Sequence, residues 1–153
     1  MSSIDLELNR SRPPEWLYRE YEPADLPDIV KWWAGSFRRS KWAGTAPNNK
    51  FTEYMGETIA QLLARGSKCV MAVNPGNKSQ VLGFIVTEKT SKDENVVHYL
   101  FVKDIYRNRG ISKGLLAAEG IKQDGSTFYT HKTAYSKHYK GKHVPEICRR
   151  KKA

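Results

Sequence analysis

Residues Val96 to Val102 read VVHYLFV, the most continuous apolar stretch of the chain, with His98 as its one strongly polar member. Seven residues rich in β-branched and aromatic types predict a strand buried on both faces, in the middle of a sheet. The run enters a basic turn holding Gly110, and the turn opens directly into Ile111-Ser112-Lys113-Gly114-Leu115-Leu116. That spacing predicts a short helix to about Glu119, with Leu115, Leu116 and Ala118 facing inward. Phe128 to Thr130 then supplies the strand that such a crossover helix requires.

The rest of the chain reads around this unit. Trp16 to Tyr21 alternates as a strand, with Trp16, Tyr18 and Glu20 on one side. Glu22-Pro23-Ala24-Asp25 breaks it, and Asp25 is placed to cap a helix carrying Leu26, Ile29, Val30 and Trp33, which runs to Phe37 or Arg39. Residues 40–50 form a loop. A second helix spans Phe51 to Ala64, with Met55, Ile59, Leu62 and Leu63 on one face and Gly66 as its stop. Lys68 to Val73 and Val81 to Glu88 form a hairpin around Pro75-Gly76-Asn77, and Thr90 to Glu94 is a polar turn. Beyond Thr130 the pattern weakens to a short helix at Ala134 to Tyr139 and a basic end. The order β-α-α-β-β-β-loop-α-β predicts an α/β fold, a mixed and mostly antiparallel sheet flanked by helices. Residues 1–14, ending in Pro13-Pro14, read as an arm, 15–145 as one domain, and 146–153 as a basic tail.

The chain has 153 residues, 11% of them aromatic, so a real core is within reach and full disorder is excluded. No run of about 18 apolar residues spans a membrane. The N-terminus alternates acidic and apolar residues, unlike a secretory leader. Two cysteines, Cys69 and Cys148, are too few for a disulfide scaffold or a thiolate zinc site, and no metal is expected. A reducing, cytoplasmic setting follows. Charge is the unusual quantity: the net is +10, and residues 122–153 hold nine bases against two acids. That balance suits a phosphate-bearing ligand, a nucleic acid or an acidic protein surface.

The turn after Val102 has the chemistry of the first of these. The opening N–H groups of a helix have no partners within it and carry partial positive charge. Gly110 permits close approach, and Arg107, Arg109 and Lys113 add full charges, which together make a diphosphate cradle. It is neither G-x-x-x-x-G-K-[ST] nor G-x-G-x-x-G.

Arg107-Asn108-Arg109-Gly110-Ile111-Ser112 resembles the acyl-coenzyme A motif of GNAT N-acetyltransferases, Q/R-x-x-G-x-G/A at a strand-to-helix turn. Leu100-Phe101-Val102 matches the family's strand entry and Leu115-Leu116 its helix exit; Ser112 stands where the family has a second small residue. The element order from Trp16 to Tyr139 also fits, whereas the C-terminal part is short, as in acetyltransferase-like proteins of bacteriophage genomes. The resemblance implies a GNAT-like fold and direct transfer of an acetyl group from acetyl-CoA to an amine. It places the carrier on Leu100, Phe101, Val102 and on Arg107, Asn108, Arg109, Gly110, Ile111, Ser112 and Lys113. It implies His98 as a proton relay, and Tyr139 or Tyr135 as the acid for the leaving thiolate. The acceptor would enter over the first two helices and their connection, near Trp42, Asn48 and Asn49. The alternative is a GNAT-like fold without catalysis, whose basic face, including Arg38-Arg39-Ser40-Lys41 and Arg149-Arg150-Lys151-Lys152, binds an acidic protein or a nucleic acid.

Overall fold

The structure, a computed structural model, describes residues 15–38, 48–122, 125–131 and 141–148, with the side chains of Asn48, Asn49, Glu146 and Cys148 left out. The expected arm, Trp42, the helix at Ala134 to Tyr139 and the last residues of the tail lie outside the described residues. Among the described residues six strands form one sheet in the order β1-β2-β3-β4-β5-β6. They are β1 (Leu17–Glu20), β2 (Lys68–Asn74), β3 (Asn77–Lys89), β4 (Asn95–Val102), β5 (Phe128–Tyr129) and β6 (Lys142–His143). The first three pairings are antiparallel and the last two parallel, so the sheet is mixed as the element order predicts.

Helices α1 (Leu26–Arg38) and α2 (Asn48–Ala64) cover one face and α3 (Ile111–Ala118) the other. On the first face Ile29 and Trp33 of α1 and Met55, Ile59 and Leu62 of α2 pack on Met71, Phe84, Tyr99 and Phe101. On the second, Ile111 and Leu115 pack on Tyr18, Val70, Ile85 and Leu100. Covering both faces explains why β2 and β4 read as unbroken apolar runs instead of alternating. Among the described residues no helix is long and apolar enough to cross a membrane.

Local chemistry sets the helix ends. Gly66, at φ 97°, closes α2: its N–H donates to the Leu63 carbonyl and that of Ser67 to Leu62, the paired bonds of a Schellman stop. Gly120 ends α3 in the same way, with Ile121 donating to Leu116. Asp25 does not cap α1 as the sequence suggests. Pro23–Asp25 already turn as a 3-10 segment, and the Asp25 carboxylate folds back to accept the Glu22 N–H at 2.8 Å and both ends of the Arg19 fork at 2.7 Å. Trp16 and Tyr18 are buried on one side of β1, while Glu20 is exposed. α2 starts three residues earlier than expected, and β3 starts at Asn77 because the Pro75-Gly76 turn pairs Asn74 directly with Asn77.

Gly114 fixes how α3 sits. The Tyr18 hydroxyl reaches under the helix and donates to the Ile111 carbonyl at 3.1 Å, and a Cβ at Gly114 would collide with the end of that tyrosine. Helix propensity alone favours alanine there by about 1 kcal/mol. Tyr18 is fully buried and has nowhere to retreat, so overpacking dominates. Gly114→Ala is expected to lower stability by about 1–3 kcal/mol, read as an earlier urea unfolding midpoint. An unchanged or later midpoint would contradict this packing.

Candidate active site

The bend between β4 and α3 is exposed from Arg107 to Gly110, while Ile111 anchors it with a buried side chain. A 3-10 turn at Asp104–Tyr106 leaves β4, and Asn108 (φ 63°) and Gly110 (φ 94°) take left-handed conformations that swing the chain into the helix. Among the described residues no backbone carbonyl accepts from the amides of Asn108 to Lys113, and the first bond of the helix starts at Gly114. A Cβ on Gly110 would meet nothing within 4 Å, so the glycine answers to φ and to close approach from outside, not to internal packing. These are the features a diphosphate needs.

The predicted cations divide into two kinds. Arg107 staples the bend to itself, its Nε donating to the Val102 carbonyl at 3.1 Å and its Nη1 lying 2.7 Å from Asp104 Oδ1. Arg109 stands 5.8 Å from the Tyr106 ring, and Lys113 is exposed on the first turn of α3. Ser112 is partly exposed beside them.

Leu100, Phe101 and Val102 are core side chains, each no more than 4% exposed, so only their backbone can meet a ligand. β5 pairs with β4 only at Val96–Phe128 and Val97–Tyr129, and no described β5 residue pairs with Tyr99 to Val102. Among the described residues the β4–β5 pairing ends at Val97, and His98 is the extra residue of a bulge, because Val86 pairs with Tyr99 and Thr87 with Val97.

His98 is only 1% exposed and both its ring nitrogens are engaged, Nε2 with Glu88 Oε1 at 2.9 Å and Nδ1 with Thr130 Oγ1 at 3.1 Å. Burial lowers its pKa below the usual 6.5 despite the carboxylate beside it, so the ring is neutral. For Glu88 burial pushes the other way, but hydrogen bonds from His98 and Arg65 win and lower its carboxyl to about 2. Arg65 grips Glu88 with two bonds, Nε to Oε2 at 2.9 Å and Nη2 to Oε1 at 2.6 Å, and also donates to the Ile147 carbonyl at 2.9 Å.

His131, which the sequence reading passed over, extends this line. Its Nδ1 lies 3.0 Å from the His98 carbonyl and 3.0 Å from Thr130 Oγ1. Its ring stands edge-on to Trp33, Phe37 and Tyr99, with centroids 5.0–5.9 Å away. Tyr99 is held by a 2.7 Å hydrogen bond between its hydroxyl and Ser36. Tyr135, Tyr139 and Trp42 lie outside the described residues, and Asn48 and Asn49 open α2 with side chains that do too. Burial raises the Cys69 thiol well above its usual range, so it is packing and not a nucleophile.

No protein-family model and no curated protein matches the sequence. Solved structures do match the fold. An acetyltransferase of the GNAT family from Staphylococcus aureus Mu50 superposes with a TM-score of 0.50 at 18% identity, over 67% of this chain and 61% of that one. This chain therefore spans less than two thirds of that protein. A Pyrococcus furiosus protein described as a putative acetyl transferase gives 0.59 at 17% identity, over 87% of both chains. PaiA N-acetyltransferase from Thermoplasma acidophilum, solved with coenzyme A, gives 0.52 at 18% identity, over 68% of this chain and 69% of that one. A six-stranded mixed sheet flanked by helices, with a glycine bend between β4 and α3, in this company, gives the chain the fold of the GNAT acetyltransferases.

Proposed function

We propose that the chain is an N-acetyltransferase that carries an acetyl group from acetyl-CoA to an amine by direct attack. The observation that supports this most is the exposed bend between β4 and α3, whose Asn108 to Lys113 amides are claimed by no backbone carbonyl among the described residues. In this reading those amides, with Arg109 and Lys113, hold the diphosphate, and Arg107 keeps the bend in shape. In the same reading the β4 backbone at Leu100 to Val102 takes the thioester arm, and a strand N–H polarises the carbonyl. Tyr139 or Tyr135 protonates the departing thiolate. Trp42, Asn48 and Asn49 border the acceptor. His98 contributes through its neighbours, since both of its ring nitrogens are engaged.

That engagement is also what favours the second reading, a basic GNAT-like binding module without turnover. Free-thiol release separates the two. Acetyl-CoA incubated with the full chain and 2-phenylethylamine, spermidine or a tripeptide with a free α-amine is expected to release thiol only when an acceptor is present. Acetyl-CoA binding without acceptor-dependent release would leave the binding module. No binding, with salt-sensitive retention of RNA, would support a nucleic-acid partner.

A further inference from the structure

We propose that Lys31, Trp32 and Lys103 form a carboxylate-binding subsite that selects an acidic acceptor, a peptide with a free α-amine and an aspartate or glutamate close behind it. This rests on the acetyltransferase reading and names the substrate class that reading leaves open. Trp32 is partly exposed on α1 and stacks on Phe101 of β4, with ring centroids 5.7 Å apart. Lys103 follows the last residue of β4, and its ammonium lies 4.5 Å from the centre of the Trp32 ring. The Lys31 ammonium lies 5.0 Å from the same centre, so the two cations stand no more than about 10 Å apart. Among the described residues no carboxylate is in ion-pair contact with either. An indole face attracts a cation through its quadrupole but has no net charge to neutralise it, and the two ammoniums repel each other. Asp28, one turn before Trp32, draws on Lys103 from beyond ion-pair contact, which leaves two positive charges against one negative. Burial holds the Lys103 ammonium below its usual 10.5 against that pull, and the Lys31 charge adds to the effect. The cluster is short of one anion, and a bound carboxylate supplies it.

Its place fits a second substrate. Phe101 and the Lys103 ammonium lie on the α1 face of the sheet, whereas Ile111, which anchors the glycine bend, packs on the opposite face with α3. The two basic groups therefore meet the end of β4 from opposite sides, one for each partner of a two-substrate transfer. The Lys103 N–H donates to the Leu82 carbonyl at 2.9 Å, which ties the base of its side chain to β3. From Leu100, the far end of the segment given to the thioester arm, to Lys103 is about 10 Å of strand. In an extended peptide the third residue lies about 7 Å from the first, so an acid at the second or third position comes within reach of the ammoniums while the α-amine attacks near Leu100. Lys31 and Lys103 bind the far end of the acceptor and touch no reacting atom.

The test uses the full chain, acetyl-CoA and two C-terminally amidated tripeptides, Ala-Gly-Asp and Ala-Gly-Asn, with thiol release as the readout. The wild type is expected to favour the acidic peptide about tenfold in kcat/KM, chiefly through KM. In Lys103→Met, which keeps an apolar stem on Trp32, that preference is expected to shrink to about twofold or less, and in Lys103→Arg to stay above about fivefold. Calorimetric affinity of Lys103→Met for acetyl-CoA is expected to stay within about threefold of wild type. A wild type that acetylates amines without favouring the acidic peptide overturns the subsite and leaves the acetyltransferase reading standing, whether or not the variants fold. A preference that survives in folded Lys103→Met overturns it too. So does a loss of about tenfold or more in that variant's acetyl-CoA affinity, because the ammonium would then serve the coenzyme. A wild type that releases no thiol with these peptides or the other amines above overturns the reading and the subsite together.

Discussion

Replacing Glu88 by glutamine is expected to cost the fold about 3–5 kcal/mol, the size of loss seen when one partner of a buried ion pair is removed. Glu88 is 7% exposed and takes three hydrogen bonds, two from Arg65 and one from His98. An amide offers one oxygen and turns two donors toward the remaining donors, so the Arg65 charge loses its counter-charge in a site largely closed to water. The damage spreads because Arg65 also holds the Ile147 carbonyl, and His98 holds Thr130, the residue after β5. Urea unfolding of Glu88→Gln against wild type measures the loss, and a difference below about 1 kcal/mol would contradict this view of the cluster.

The same pair sets the acid response. His98 is held below its ordinary 6.5, so as pH falls through that value the unfolded chain takes up a proton that the native site resists, and stability drops. Glu88 is held near 2 against an ordinary 4.5, so its contribution is complete above 4.5 and is lost as pH falls from there through about 2. Thermal unfolding at pH 7, 5 and 3 is expected to show a falling midpoint across both windows.

Gly110→Val is expected to weaken acetyl-CoA binding by about 10–100-fold, equivalent to about 1.4–2.8 kcal/mol. The glycine holds φ 94°, where a β-branched residue is strained by about 1–3 kcal/mol. Relieving that strain shifts the peptide that follows and with it the Ile111 and Ser112 amides, which in this reading hold the diphosphate. The side chain also stands where the ligand backbone approaches, since nothing of the protein lies within 4 Å of that Cβ. Calorimetric titration of the variant checks the affinity: a value within about twofold of wild type would mean that the ligand does not use this bend.

Elements with a strong period were legible from sequence alone. Ile29, Trp33, Met55, Ile59 and Leu62 form the helical face that their spacing predicts, and Gly66 stops α2. The VVHYLFV run is β4 near the middle of the sheet, and the glycine bend lies between it and α3. What stayed hidden depends on distant pairing. β6 is two residues, Lys142 and His143, with no apolar signal, and exists through its pairing with β5. The Arg65–Glu88–His98–Thr130–His131 chain joins five positions scattered over 66 residues, from α2's end to β5's. Its one local trace is Glu88, a carboxylate closing the apolar run from Val81. His98 was legible as special but not as sealed, because a bulge and a partner ten residues back decide its surroundings.

The most direct measurement follows the backbone amides of nitrogen-15-labelled protein by NMR as acetyl-CoA is added. Saturable shifts centred on Asn108 to Lys113, spreading along Leu100 to Val102 of β4, are the predicted result. Shifts confined to other basic stretches, with the glycine bend silent at saturation, would contradict the account and leave a positively charged fold whose anion lies elsewhere.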